Sequence, residues 1–200
     1  MINERIGDPG VVAISWFGIA LVMLGLVEVV TGKAAGGLGY AVLIAGIAEA
    51  IGGAIAIGRG DTYLGSIIGV FGLWLIGFHL LSSDPAAATA DSLGLYTLVV
   101  IGPLTYLLIP AVALRAWTLT VALGLIMALF AVLGISYLDG SSTLAKLAGW
   151  LSFASAVPVW YLGGERLLEN LQLIGTPPAA VETSTDVQRA SALASEVHPS

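Results

Sequence analysis

The chain has 200 residues, of which 58% are hydrophobic and only 10% charged, whereas soluble domains carry about 25% charged residues. That balance excludes an ordinary water-soluble domain and points to a polytopic membrane protein. The formal charge of −6 argues against nucleic acid as a partner, and the absence of cysteine removes disulfides and thiolate metal sites.

A helix needs about 20 residues to cross ~30 Å of hydrocarbon at 1.5 Å per residue. Six apolar stretches have this length: Val11–Val30, Gly36–Gly58, Tyr63–Leu81, Leu93–Leu114, Trp117–Leu138 and Leu144–Gly164. They are separated by short polar or turn-forming breaks at Thr31–Lys33, Arg59–Asp61, Ser82–Pro85, Arg115 and Asp139–Ser142. The fold class expected is all-α, with six transmembrane helices in a single bundle. Residues 1–10 form a cytoplasmic head, 11–168 the transmembrane domain and 169–200 a polar tail. From Gly175 onward the composition turns to Pro, Ser, Thr, Glu and Ala, which cannot bury a core and reads as disordered.

Basic residues set the expected orientation. With the amino terminus inside, Arg5, Arg59, Arg115, Arg166 and Arg189 fall on the cytoplasmic side, and only Lys33 and Lys146 fall opposite. Short cytoplasmic loops favour Lys and Arg, so both termini are expected in the cytoplasm of a cell carrying the protein in its inner or plasma membrane. The head is too charged and too close to the first span for a good cleavable signal, so that span is expected to be retained.

On the second span Ala45, Gly46, Glu49, Gly52, Gly53 and Ala56 follow helical spacing. Such a stripe of small residues marks a face packed against another helix, which places Glu49 inside the protein. On the third span Gly65, Gly69, Gly72, Ile76 and His79 form a second stripe. Pro103, Pro110 and Pro158 fall within helical patterns and predict kinks. Glu165, Arg166 and Glu169 read as a solvated cytoplasmic end, and Trp74, Trp117, Trp150 and Trp160 suit interface or packing positions.

Several segments resemble the acetate uptake transporter family, the succinate–acetate permeases. Gly46–Ser66, "GIAEAIGGAIAIGRGDTYLGS", resembles the family's GIAQ…GNTFG region. "LAGW" at Leu147–Trp150, a run of small residues and "GGE" at Gly163–Glu165 resemble its sixth-helix region, and the spacing from "LFAVLG" at Leu129–Gly134 also matches. The likeness extends from about Asp8 to Glu165 with the same six-span layout. Two departures stand out. The family's NPAPLGL signature is replaced by "DPGVVAI", which keeps only Pro9 and has Asp8 in place of asparagine, and Glu49 stands where the family commonly has glutamine.

The resemblance implies a permeation path narrowed by two aromatics and an aliphatic residue, which fall on Phe17, Phe71 and near Ile126. It also implies a hexamer with a pore through each protomer. Counted from the cytoplasmic ends of their spans, the three lie about 6, 8 and 9 residues in, at depths of roughly 9–14 Å, and Glu49 lies at a similar depth. Three such side chains can form one ring, and a narrow apolar ring disfavours hydrated ions.

An acidic side chain in mid-membrane costs about 2.5–3.5 kcal/mol on insertion scales and marks a functional site by default. For Glu49 the functional reading is a proton carrier coupled to anion entry; the structural reading is a hydrogen-bonded residue standing in for glutamine. Glu28 and His79 lie near the far ends of their spans, where they either pair or line an outer vestibule, or simply reach the interface. Asp8 and Pro9 belong to the substrate path by resemblance.

The function expected is transport of acetate, and of other small carboxylates such as succinate, proton-linked or as an anion channel. The bilayer and further copies of the chain are the expected partners, with no cofactor and no metal. A urea or short-chain amide channel and a non-transporting membrane scaffold are the alternatives. No Ser/His/Asp set, phosphate loop or paired carboxylates support an enzyme.

Overall fold

In the computed structural model residues 8–171 are described, and they are helical apart from short turns, with no strand among them. Most of the expected tail and most of the expected head, with Arg5 and Arg189, lie outside the described residues. Residues up to Leu167 form one unit, and Leu168 begins another.

Asp8 starts the first helix, α1 (Pro9–Gly25). Its carboxylate accepts a hydrogen bond from the Gly10 amide at 2.8 Å, and Pro9 occupies the first helical position, where its missing N–H costs nothing. The helix continues through a π-helical turn, Leu26–Val30, and a short 3₁₀ turn, Gly32–Ala34. Then come α2 (Ala35–Gly58) and α3 (Thr62–Ser83). The turn between them uses Gly60 at φ 91°, a left-handed conformation that a side chain would strain, and Asp61 caps α3 by accepting from the Leu64 amide at 3.1 Å.

The expected fourth span is two helices, α4 (Ala90–Val99) and α5 (Ile101–Ala113). The break precedes Pro103. A proline ring clashes with the carbonyl four residues back, here Val99, and its nitrogen offers no proton to it. Pro110 and Pro158, by contrast, lie within continuous helices. The last elements are α6 (Trp117–Asp139), closed by Gly140 at φ 66°, and α7 (Ser142–Asn170). Five described stretches are long and apolar enough to cross a membrane: Pro9–Val30, Gly32–Gly58, Thr62–Ser83, Ala90–Ala113 and Trp117–Asp139. The expected sixth span lies on α7, which has the length but a lower hydropathy, diluted by Ser152, Ser155, Pro158, Gly163 and Gly164.

The two small-residue stripes meet. Among the stripe residues of α2, Ala45, Gly46, Glu49, Gly52, Gly53 and Ala56 are all buried. A Cβ added to Gly53 would lie 2.7 Å from the Gly69 Cα, and one added to Gly72 would strike the backbone of Glu49 and Ala50. The α2–α3 seam is therefore backbone against backbone, as small-xxx-small patterns permit. A second seam joins α1 to α7. The Phe153 ring lies against Gly25, the Trp160 indole covers Gly18 and donates to the Ser15 carbonyl at 3.3 Å, and the buried Ser152 hydroxyl donates to the Leu21 carbonyl at 2.7 Å. α4 and α5 pack on α6.

The outward surface is apolar: Ile44, Ile47, Ile51, Leu73, Val99, Ile109, Val121 and Val157 are all exposed. So much exposed hydrocarbon on consecutive helices is unsuited to water and natural in lipid.

Candidate functional site: cavities between the helices

Three cavities follow one another inside the protein. The first, of about 120 Å³, is lined by Ile14 and Phe17 of α1, Glu49 of α2, Ile67 and Phe71 of α3, and Leu123 and Ile126 of α6. Asp61, Tyr63, Leu119 and Arg166 also line it. These four come from the starts of α3 and α6 and the end of α7, so they mark one end of the cavity. The volume is several times what one water needs.

Phe17 and Phe71 are both buried, with ring centroids 4.9 Å apart and planes tilted by 40°, a favourable aromatic pairing. Phe71 also meets Phe130 at 6.3 Å, and Phe130 meets Trp74 at 4.6 Å. Phe17 and Phe130 form part of the wall of a second cavity, about 50 Å³, with Leu38, Val42, Trp74, Phe78 and Tyr137. Leu38, Val42, Phe78 and Tyr137 in turn border a third, of about 500 Å³, with His79, Ser82 and Ser83. Neighbouring cavities thus share wall residues: Phe17 belongs to the first and second, and Leu38, Val42, Phe78 and Tyr137 to the second and third. For brevity the three are called the chamber, the aromatic waist and the vestibule.

The structure brings Phe17, Phe71, Ile126 and Glu49 to one chamber, although they lie on four helices. Glu49 is 1% exposed, and its Oε2 has no hydrogen-bond partner. A residue acting as helix-to-helix glue in place of glutamine would be expected to spend that oxygen on a neighbouring donor. His79 lines the vestibule with its Nδ1 buried and also unpartnered. Glu28 does not line it. It sits on the π-helical turn, with its Cβ against Gly149 of α7, and makes no ion pair with His79 among the described residues. The pairing alternative is therefore not seen: the chain's direction beyond Gly25 turns Glu28 toward α7 and Tyr137 rather than toward α3.

Asp8 and Pro9 lie at the start of α1. The second Asp8 oxygen, Oδ2, accepts from Arg166 Nη1 at 3.2 Å in an ion pair that joins the ends of α1 and α7. Arg166 thus has a partner and a place on the chamber wall, which corrects its reading as part of a solvated end.

Phe130 and Arg166 were missed by the sequence reading. Phe130 had a usable signal, since it stands four residues after Ile126 and shares its helix face. Trp74 is a packing residue: its indole N–H donates to the Tyr96 carbonyl at 3.1 Å, while the Tyr96 hydroxyl donates to the Trp74 carbonyl at 3.2 Å. No group of three or more His, Cys, Asp or Glu among the described residues could hold a metal ion.

A model of the GPR1/FUN34/yaaH family matches residues 1–180. The chain belongs to this family, the acetate uptake transporters. Its fold is similar to that of a solved structure described as the bacterial acetate channel SatP, with a TM-score of 0.69 over 82% of this chain and 94% of the other, at 21% identity. No curated protein matches. Family, fold and apolar exterior together make this a multi-pass membrane protein.

Proposed function

We propose that the protein conducts acetate, and other small carboxylates such as succinate, across the cell membrane, in a proton-linked manner. The observation that carries this reading is the chamber that Phe17, Phe71 and Ile126, from three helices, line together with Glu49, whose Oε2 has no hydrogen-bond partner. Membership of the acetate uptake family supports the substrate class, and the likeness of fold to a structure described as an acetate channel agrees with it. Both termini face the cytoplasm in this reading, and the protein assembles as a hexamer, its glycine seams holding each protomer together.

The aromatic waist excludes hydrated ions because a charge there would lose its water with nothing to replace it. A monocarboxylate crosses as the neutral acid or together with a proton. In this reading Glu49 carries that proton, and its support is that Glu49 lines the same chamber as Phe17 and Phe71 and its Oε2 has no hydrogen-bond partner. His79 and the Ser82 and Ser83 hydroxyls form a polar vestibule at the opposite end, where a hydrated solute is received.

The test is uptake of labelled acetate by liposomes holding the purified protein, at mildly acidic and at neutral pH, with labelled urea in parallel. Acetate uptake above protein-free vesicles, larger at the acidic pH and blocked by propionate, is expected. Urea uptake without acetate uptake would replace this reading with an amide channel, and silence for both would replace it with a scaffold.

A further inference from the structure

The chamber carries charged side chains at one end. Its lining holds two carboxylates, Glu49 and Asp61, and one guanidinium, Arg166. Arg166 is the one cation among the described residues that line the chamber. Arg166 stands at the mouth itself, one-third exposed, where the aqueous phase gives way to the apolar wall of Ile14, Leu64 and Leu162.

Arg166 is also incompletely used. A guanidinium has five N–H donors in a planar fork suited to a carboxylate. Among the described residues it makes one hydrogen bond, from Nη1 to Asp8 Oδ2 at 3.2 Å. The other donors have no partner among the described residues. Asp8 in turn is held by its own work, because its other oxygen caps α1 through the Gly10 amide. The residue that competes for Arg166 is thus fixed in place, and the arginine is the movable partner, on a long side chain near the end of α7.

We propose that Arg166 is a solute-binding residue: it receives the carboxylate of the entering solute at the chamber mouth, and Asp8 competes with that carboxylate for the guanidinium. The Asp8 pair then sets how readily the mouth loads and unloads. With the pair strong, solute binds weakly and leaves readily; with the pair removed, the arginine holds the solute longer. This rests on the carboxylate-transport reading and adds a named recognition site to it.

Asp8→Asn gives a clean variant, because asparagine caps a helix as well as aspartate does while carrying no charge to hold Arg166. It is expected to lower the KM for acetate by roughly two- to fivefold, the range of a part-exposed ion pair. Arg166→Gln is expected to raise KM by roughly five- to tenfold, since a charge-assisted contact to the solute is lost. If Arg166→Gln does not fold, Arg166→Lys keeps the charge and the Asp8 pair but loses the fork, and is expected to raise KM less with little change in thermal stability.

A mere strut between α1 and α7 makes a different forecast: both variants lower the melting temperature, and neither moves KM. Shifts of opposite sign support the proposal. Shifts of the same sign, or none, overturn it while leaving the transport reading in place. No acetate flux in the unmodified protein overturns both.

Discussion

The α2–α3 seam and the chamber beside it are built on the same helices by opposite means. Along the seam, Gly46, Gly53, Gly65 and Gly72 bring two backbones together with no space for one further carbon. On the neighbouring face of α3, Phe71 projects into a gap that α1 and α6 leave open, and Phe17 meets it there. Removing side chains creates the rigidity of the first region, and placing large ones creates the waist of the second. The seam lets α2 and α3 sit close together, and beside it a few aromatic rings fill the space between α1, α3 and α6.

The contrast is broken most severely at the seam. Gly72→Leu would drive a side chain into the backbone of Glu49 and Ala50, at a cost of about 3 kcal/mol or more because neither partner can yield. Loss of a monodisperse protein in detergent, or a large fall in melting temperature, is the expected result. At the chamber, Phe17→Ala keeps the fold with a cost of about 3 kcal/mol, and it changes selectivity. Uptake of succinate relative to acetate should rise several-fold in liposomes, since the waist loses one of its rings.

A smaller and more specific change is expected for Glu49→Gln. The amide is close in size to the acid and fits the same buried place, so uptake at acidic pH should persist within about twofold. The decline of uptake from acidic to neutral pH should flatten, because the variant cannot exchange a proton at this position. A pH profile as steep as that of the unmodified protein would remove Glu49 from the proton path. The smallest effect is expected at Gly124 in α6, where an added Cβ meets nothing within 4 Å. Gly124→Ala should change the melting temperature by no more than a surface substitution does, within about 0.5 kcal/mol. A large loss there would show that the seam is not special.

Much of this architecture can be read from the chain, because a membrane leaves few ways to satisfy a backbone. Helix bounds deviate from the apolar runs by at most three residues at most ends, and the stripes on α2 and α3 announce the seam through spacing alone. The break at Val100 had its cause in Pro103, but the sequence gives no measure of whether a proline kinks a helix or divides it; Pro110 and Pro158 leave theirs continuous. At the site, Phe17, Phe71, Ile126 and Glu49 could be gathered by resemblance and depth. The Asp8–Arg166 pair could not. Its members are 158 positions apart, neither lies in an apolar run, and only the closure of α7 against α1 brings them together. Of the alternatives open for Glu28, pairing with His79 is not seen among the described residues; Glu28 emerges from the π-helical turn after Gly25, with its Cβ against Gly149.

If acetate passes between Phe17, Phe71 and Ile126, as proposed, acetate uptake by liposomes containing Phe71→Trp reports on it most directly. Phe71 and Phe17 are already in contact, with centroids 4.9 Å apart, so the larger ring has to extend into the chamber that both line and narrows it without touching the glycine seam. A folded variant with uptake reduced by about tenfold or more is the expected result. A folded variant that takes up acetate at the rate of the unmodified protein would contradict the claim and place the path elsewhere.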